Sequence, residues 1–150
     1  MIKIICVGKI KENYFSEAIK EYSKRISKYI KIEIIELSDY SYDEKKTIRE
    51  ESNEIMKIIN KNDYNILMDI KGNMLDSVSF SKKIEDTLIY KSNITFIIGG
   101  SLGVSEEIKN ICDYKLSFSL MTFPHQLFRI VLLEQIYRAF KIINHEEYHK

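Results

Sequence analysis

Two loops and one tail concentrate the residue types that could do chemistry. The first loop lies within Leu116-Ser117-Phe118-Ser119-Leu120-Met121-Thr122-Phe123-Pro124-His125-Gln126, a stretch that holds the chain's single proline. Leu116 to Leu120 reads as a short strand. Pro124 suits the first turn of the long apolar helix that follows, where a missing N–H costs nothing and a fixed φ helps. The second loop, Gly99-Gly100-Ser101-Leu102-Gly103, carries three of the five glycines and joins an apolar strand to a helix starting near Ser105. Glycines there let a ligand approach backbone N–H groups with no Cβ in the way. The spacing Gly-Gly-x-x-Gly fits neither the dinucleotide fingerprint nor a phosphate-binding P-loop, and a plain tight turn is the competing reading. Both loops follow strands, and in α/β proteins ligands collect at the carboxyl ends of strands, where helix N-termini and unpaired backbone groups converge.

The tail, His145-Glu146-Glu147-Tyr148-His149-Lys150, spells the His-Glu-x-x-His pattern of zinc hydrolases. That chemistry needs both histidines on a rigid helix lining a cleft, together with a third ligand. One residue follows His149 here, and a terminal segment frays unless something pins it. No metal is expected. Cys6 and Cys112 form no Cys-x-x-Cys and read as two reduced thiols.

The elements that must position these loops follow from the hydrophobic spacing. The 150 residues have the length of one domain, 1–150, able to bury a core. With 45% hydrophobic residues and no apolar run of membrane-spanning length, a soluble protein is expected. The opening Met1 to Gly8 reads as a strand rather than a signal peptide, so a cytoplasmic protein is expected. Tyr14, Phe15, Ala18, Ile19, Tyr22, Ile26 and Tyr29 recur at helical spacing. Ile32 to Leu37 forms a second strand, and a helix carries Ile48, Ile55, Met56 and Ile59. Tyr64 to Ile70 forms a third strand, bounded by the turn chemistry of Lys71-Gly72-Asn73. A helix with Phe80, Ile84 and Leu88 precedes a fourth strand, Ile94 to Ile98. Regular alternation of strand and helix predicts an α/β fold, a mostly parallel sheet with helices on both faces.

The last helix has apolar side chains at nearly every azimuth, from Leu127 through Ile143. A helix apolar all round must be buried all round. The sheet of so small a domain covers one side, which predicts a homodimer through this helix. A net charge of +1, from 23 basic and 22 acidic residues, neither announces nor excludes a nucleic-acid partner, because phosphate affinity follows local clustering.

Several of these segments together resemble the RlmH family of SPOUT methyltransferases: Ile98 to Gly103, Leu116 to Gln126, the helix from Arg129 to Ile142, and the terminal Tyr148-His149-Lys150. The opening Val7-Gly8-Lys9 and the chain length agree, so the resemblance covers the whole chain. It implies a cytoplasmic homodimer that uses S-adenosylmethionine to methylate N3 of a pseudouridine, of the position 1915 type, in 23S rRNA of the assembled ribosome. It also implies a C-terminal trefoil knot, an exception to the rule of unknotted chains.

Carried onto this sequence, the resemblance implies cofactor contacts at Met68, Gly99, Phe118, Ser119, Leu120, Met121, Thr122 and Phe123. His125 and His149 are the implied candidates for the base that removes the N3 proton, since imidazole titrates in the right range. Arg129, Arg138, Tyr148 and Lys150 are implied on the RNA side, the cations as phosphate holders. The residues alone leave blander roles open, with His125 capping the helix and Arg138 pairing with Glu134 at i, i+4. Family tails commonly carry proline where this chain has Glu147, beside Glu146, and Met68 stands in place of leucine. A catalytically silent ribosome-binding dimer, or a methyltransferase acting on tRNA, are the alternatives.

Overall fold

A computed structural model describes residues 1–150. Five strands form one sheet: β1 (Ile2–Val7), β2 (Ile32–Leu37), β3 (Tyr64–Met74), β4 (Ile94–Ile98) and β5 (Tyr114–Ser117). Their order is β2-β1-β4-β3-β5, and all four neighbouring pairs run parallel. Parallel strands need crossovers, supplied by α1 (Asn13–Ile26), α2 (Glu44–Ile58), α3 (Ser77–Tyr90) and α4 (Glu106–Ile111), and α5 (His125–Ile143) closes the chain. Three of these helices begin on side-chain caps. Asp43, Asp76 and Ser105 accept hydrogen bonds from the backbone N–H of Lys46, Ser79 and Ile108.

Helices cover both faces, as the alternation predicts. On one side α1, α3 and α5 bury Ile26, Phe80, Ile84, Leu132, Leu133 and Ile136 against Ile4, Phe96 and Ile66. On the other, α2 and α4 set Ile55 and Ile108 on Ile5, Leu67 and Ile97. β4 lies in the middle and is buried at every position, which accounts for its uninterrupted apolar run. α5 packs between α1 and α3, so its inner side chains are buried, while Leu127 is exposed and Ile130 and Val131 are half-buried.

Three boundaries differ from the spacing-based reading. β3 does not stop at Ile70; it continues to Met74 through a break in register between Met68 and Asn73, so Lys71-Gly72-Asn73 is an irregular stretch of strand rather than a turn. Gly72 makes this possible, because a Cβ there would lie 2.7 Å from the carbonyl carbon of Lys115 on β5. The fifth strand is Tyr114–Ser117, not Leu116 to Leu120, and Phe118 onward belongs to a longer loop. Pro124 precedes α5 as its N-cap, with φ −57 and ψ 138, one step before the expected first turn.

The amino ends of the strands are tied by one carboxylate. Asp63, 3% exposed just before β3, accepts hydrogen bonds from Lys3 Nζ on β1 (3.2 Å), Asn93 Nδ2 (3.0 Å) and Thr95 Oγ1 on β4 (2.9 Å). Burial raises the pKa of Asp63, but these donors and the Lys3 charge outweigh it and hold the carboxyl below its ordinary value. A lowered folded pKa means stability present above the unfolded value and lost as pH falls through the folded one.

Two outcomes are expected in urea denaturation. Gly72→Ala forces backbone apart from backbone and destabilises by about 1–3 kcal/mol. Asp63→Asn is less stable than the parent at neutral pH, and the gap between them narrows below the carboxylate range; a gap independent of pH would refute the ionic role.

Candidate active site

In a parallel sheet all carboxyl ends lie on one edge, and the order β4-β3-β5 makes the loops that follow these three strands neighbours. They enclose a cleft of about 430 Å³. One wall is β3 from Leu67 to Lys71, the second is Ile98 to Val104, and the third is Leu116 to Phe123, with His125 and Phe128 of α5 beneath.

The glycines of the second wall have separate causes. Gly103 adopts φ 86 and its N–H donates to the Gly100 carbonyl at 3.0 Å, closing a tight turn. A Cβ at Gly99 would lie 2.6 Å from Val104 Cγ1, and one at Gly100 would overlap the Glu51 carboxylate. The plain-turn reading therefore explains Gly103, whereas close approach explains the other two.

The third wall is shaped by two serines and anchored by aromatic rings. Ser117 Oγ donates to the Ser119 carbonyl at 3.1 Å, and Ser119 Oγ accepts the Met121 N–H at 3.0 Å. Phe118 and Phe123 pack on Phe128 at ring-centre distances of 5.4 and 6.0 Å. Of the residues expected to hold a cofactor, Met68, Gly99, Phe118, Ser119, Met121, Thr122 and Phe123 line the cleft. Leu120 does not: the serine turn leaves it outside, 74% exposed.

His125 lines the cleft, and burial, followed by the nearby Arg129 charge, lowers its pKa, so the imidazole is neutral at pH 7. Arg129 lies elsewhere than a phosphate holder would. It is 1% exposed, donating from Nη1 to Glu36 Oε2 at 2.6 Å and from Nη2 to the Gly8 carbonyl at 3.1 Å. Glu36 also accepts the Ile10 N–H at 2.9 Å, and Gln126 Oε1 accepts the Lys11 N–H at 3.1 Å. The start of α5 is thereby fastened to the carboxyl ends of β1 and β2. Sequence reasoning reads Arg129 as a phosphate-holding cation because its partner, Glu36, is 93 residues away in sequence.

The tail folds back along α5. Arg138 pairs with Glu134 at 2.8 Å, the i, i+4 contact. Tyr148 Oη donates to Glu134 Oε1 at 3.1 Å, the Arg138 guanidinium stands over the Tyr148 ring, and Arg138 Nη1 lies 3.2 Å from His149 Nδ1. Arg138, Tyr148 and His149 are thus brought together, and Lys150 is exposed beyond them. His149 borders a second hollow of about 460 Å³ with Asp76 and Gln135, on the other side of Phe118 and Phe123 from His125. Glu146, one of the tail's added acids, accepts from Lys141 Nζ at 2.6 Å and from Tyr29 Oη at 2.8 Å, so its charge is locally compensated. His145 takes φ 55 just past the helix, which removes the two histidines of the His-Glu-x-x-His pattern from a common helical face. No group of three or more His, Cys, Asp or Glu is placed to hold a metal ion.

Sequence reasoning missed Ile70, Lys71, Leu102, Lys109 and Phe128 as cleft residues. The glycine loop was the available signal for Leu102, whereas nothing in spacing marks Lys71 or Lys109. No helix is long and apolar enough to cross a membrane.

Comparison with known proteins agrees with this geometry. The family model described as predicted SPOUT methyltransferase matches residues 1–149. Ribosomal RNA large subunit methyltransferase H of Clostridium kluyveri is 54% identical, and that of Clostridium botulinum strain Okra 51%, each over 99% of both chains. Among solved structures, the Aquifex aeolicus tRNA (m1G37) methyltransferase superposes with a TM-score of 0.53 at 17% identity, covering 91% of this chain and 69% of its own, which speaks for the fold alone. The family model spans nearly the whole chain, and these relatives are more than half identical over 99% of both chains: the chain belongs to the SPOUT methyltransferase family.

Proposed function

We propose that this protein, acting as one methyltransferase domain over 1–150, transfers a methyl group from S-adenosylmethionine to N3 of a pseudouridine in the large-subunit rRNA of the assembled ribosome. The observation that carries this reading is the convergence of Met68, Gly99 and five residues of Phe118–Phe123 on one cleft, in a chain more than half identical to proteins named for large-subunit rRNA methylation. The cleft has the size of a small-molecule site, apolar on Met68, Ile70, Phe118 and Met121, with loop backbone between. These features fit S-adenosylmethionine, whose bound form would supply an electrophilic methyl on sulfur.

This chain's own residues bind, orient and move a proton. Phe118 and Phe123, braced by Phe128, hold the wall against which a base must be aligned with the methyl. His125, neutral and at the cleft, takes up the proton leaving N3. His149 lies across the aromatic wall, and Arg138 and Tyr148, gathered beside it along α5, with Lys150 exposed beyond, are the groups offered to the RNA. The same reading includes a homodimer through α5, and the apolar surface exposed at Leu127, with Leu120 and Met121 just before the helix, supports it. A ribosomal substrate is in keeping with work in the cytoplasm.

Labelled methyl transfer to ribosomes from cells lacking the modification, followed by nucleoside mass spectrometry, tests the proposal. Label on N3 of pseudouridine in large-subunit rRNA is expected. Label in tRNA instead, or cofactor binding without any label, would overturn the substrate; absence of both label and cofactor binding would leave a silent ribosome-binding dimer. Gly99→Arg fills the cleft and is expected to weaken S-adenosylmethionine binding by about two orders of magnitude in calorimetry while the dimer persists in sedimentation. Parental affinity in that variant would place the cofactor elsewhere.

A further inference from the structure

Behind the glycine loop lies a carboxylate that nothing so far explains. Glu51, on the inner side of α2, is 3% exposed. Its Oε2 accepts the Tyr40 N–H at 3.0 Å, and its Oε1 is buried with no hydrogen-bond partner. That orphaned oxygen lies directly against Gly100, a residue of the cleft, where the absence of a Cβ leaves room for it. The next residue, Ser52, accepts the Ser105 N–H on its Oγ at 2.9 Å, so α2 holds both ends of the segment that forms this wall.

A buried carboxylate with one oxygen unpartnered is costly unless a positive charge comes near. The other ionic groups at the cleft are differently placed. Asp69 accepts the Lys71 N–H at 2.9 Å, and Lys109 is paired with Glu106 at 3.2 Å. Burial, with the nearby Asp39, raises the Glu51 pKa against the opposing Tyr40 N–H, and a positive charge brought close would favour the ionised form.

We propose that Glu51 is a specificity-determining positioning residue whose buried carboxylate, acting through Gly100, makes the cleft favour the positively charged methyl donor over its spent form. The inference rests on the reading of the cleft as an S-adenosylmethionine site. The donor carries a sulfonium charge that S-adenosylhomocysteine, a neutral thioether of nearly the same shape, lacks. Apolar walls and backbone contacts hold the two alike; a fixed negative charge behind the loop does not. A single charge pair acting through the protein would be worth roughly a tenfold difference in affinity. The same preference clears the cleft for the next donor, since the product is the weaker ligand.

Calorimetry with both ligands tests this on the full-length protein. The parent is expected to bind S-adenosylmethionine roughly tenfold more tightly than S-adenosylhomocysteine. Glu51→Gln keeps the shape and is expected to lose most of that ratio, chiefly by weakening the donor, whereas Glu51→Asp keeps the charge and the ratio even if both affinities fall. Equal affinities in the parent, or equal losses for both ligands in Glu51→Gln, would overturn the proposal and leave Glu51 a packing residue. A parent that binds neither ligand would overturn the cofactor reading itself, a result distinct from a lost ratio.

Discussion

The cleft depends on β3 pairing in parallel with β4 on one side and β5 on the other. Both partners come later in the chain, so none of the three loops can be positioned until segments as far apart as Ile66 and Tyr114 have met. Parallel pairing then puts every carboxyl end on one edge without further instruction. The irregular stretch of β3 around Gly72 keeps the strand beside β5 beyond Met68, and this continues the wall to the mouth of the cleft. A small residue in contact with another backbone thus shapes a site that it does not itself line.

The two edges of the sheet are secured by different means. At the amino edge, Asp63 gathers donors from three segments into a small buried network in which both carboxylate oxygens are engaged. At the carboxyl edge, Arg129 joins Glu36 and the Gly8 carbonyl and fixes where α5 begins. That helix serves two ends at once. Leu132, Leu133 and Ile136 are core, while His125 and Phe128 on its first turn belong to the cleft. The buried guanidinium is therefore structural in its contacts and functional in its consequence, since it sets the position of His125.

Each edge of the sheet holds a buried carboxylate, but the two are partnered differently. Asp63 is fully engaged, whereas Glu51 has an oxygen without a donor beside a loop that borders the cleft. A stable protein tolerates few such orphans; the others here are Asn65 Oδ1 and Arg129 Nε, neither of which borders the cleft. The tail obeys the same logic in reverse. Glu146, which as a bare charge would oppose RNA, is taken up by Lys141 and Tyr29 and helps hold Tyr148 and His149 along α5.

Much was determined by the sequence alone, because it depends on local spacing. Alternating apolar strands and amphipathic helices dictate an α/β fold with covered faces, and the glycine loop and the Leu116–Gln126 stretch mark the walls of the site before any contact is known. The resemblance carried by those stretches reached Met68, which spacing alone would have left in the core. The tertiary structure decided what depends on distant partners. The end of β3 and the start of β5 were misjudged because their register is set across the sheet rather than along the chain. Arg129 reads as a surface cation until Glu36 is beside it, Leu120 as a lining residue until the serine turn sets it outside, and Glu51 as an ordinary helix acid until Gly100 is pressed against it. In each case the side chain's chemistry was written in the sequence, but its surroundings, which decide whether a charge is solvated, paired or left waiting, came only from folding.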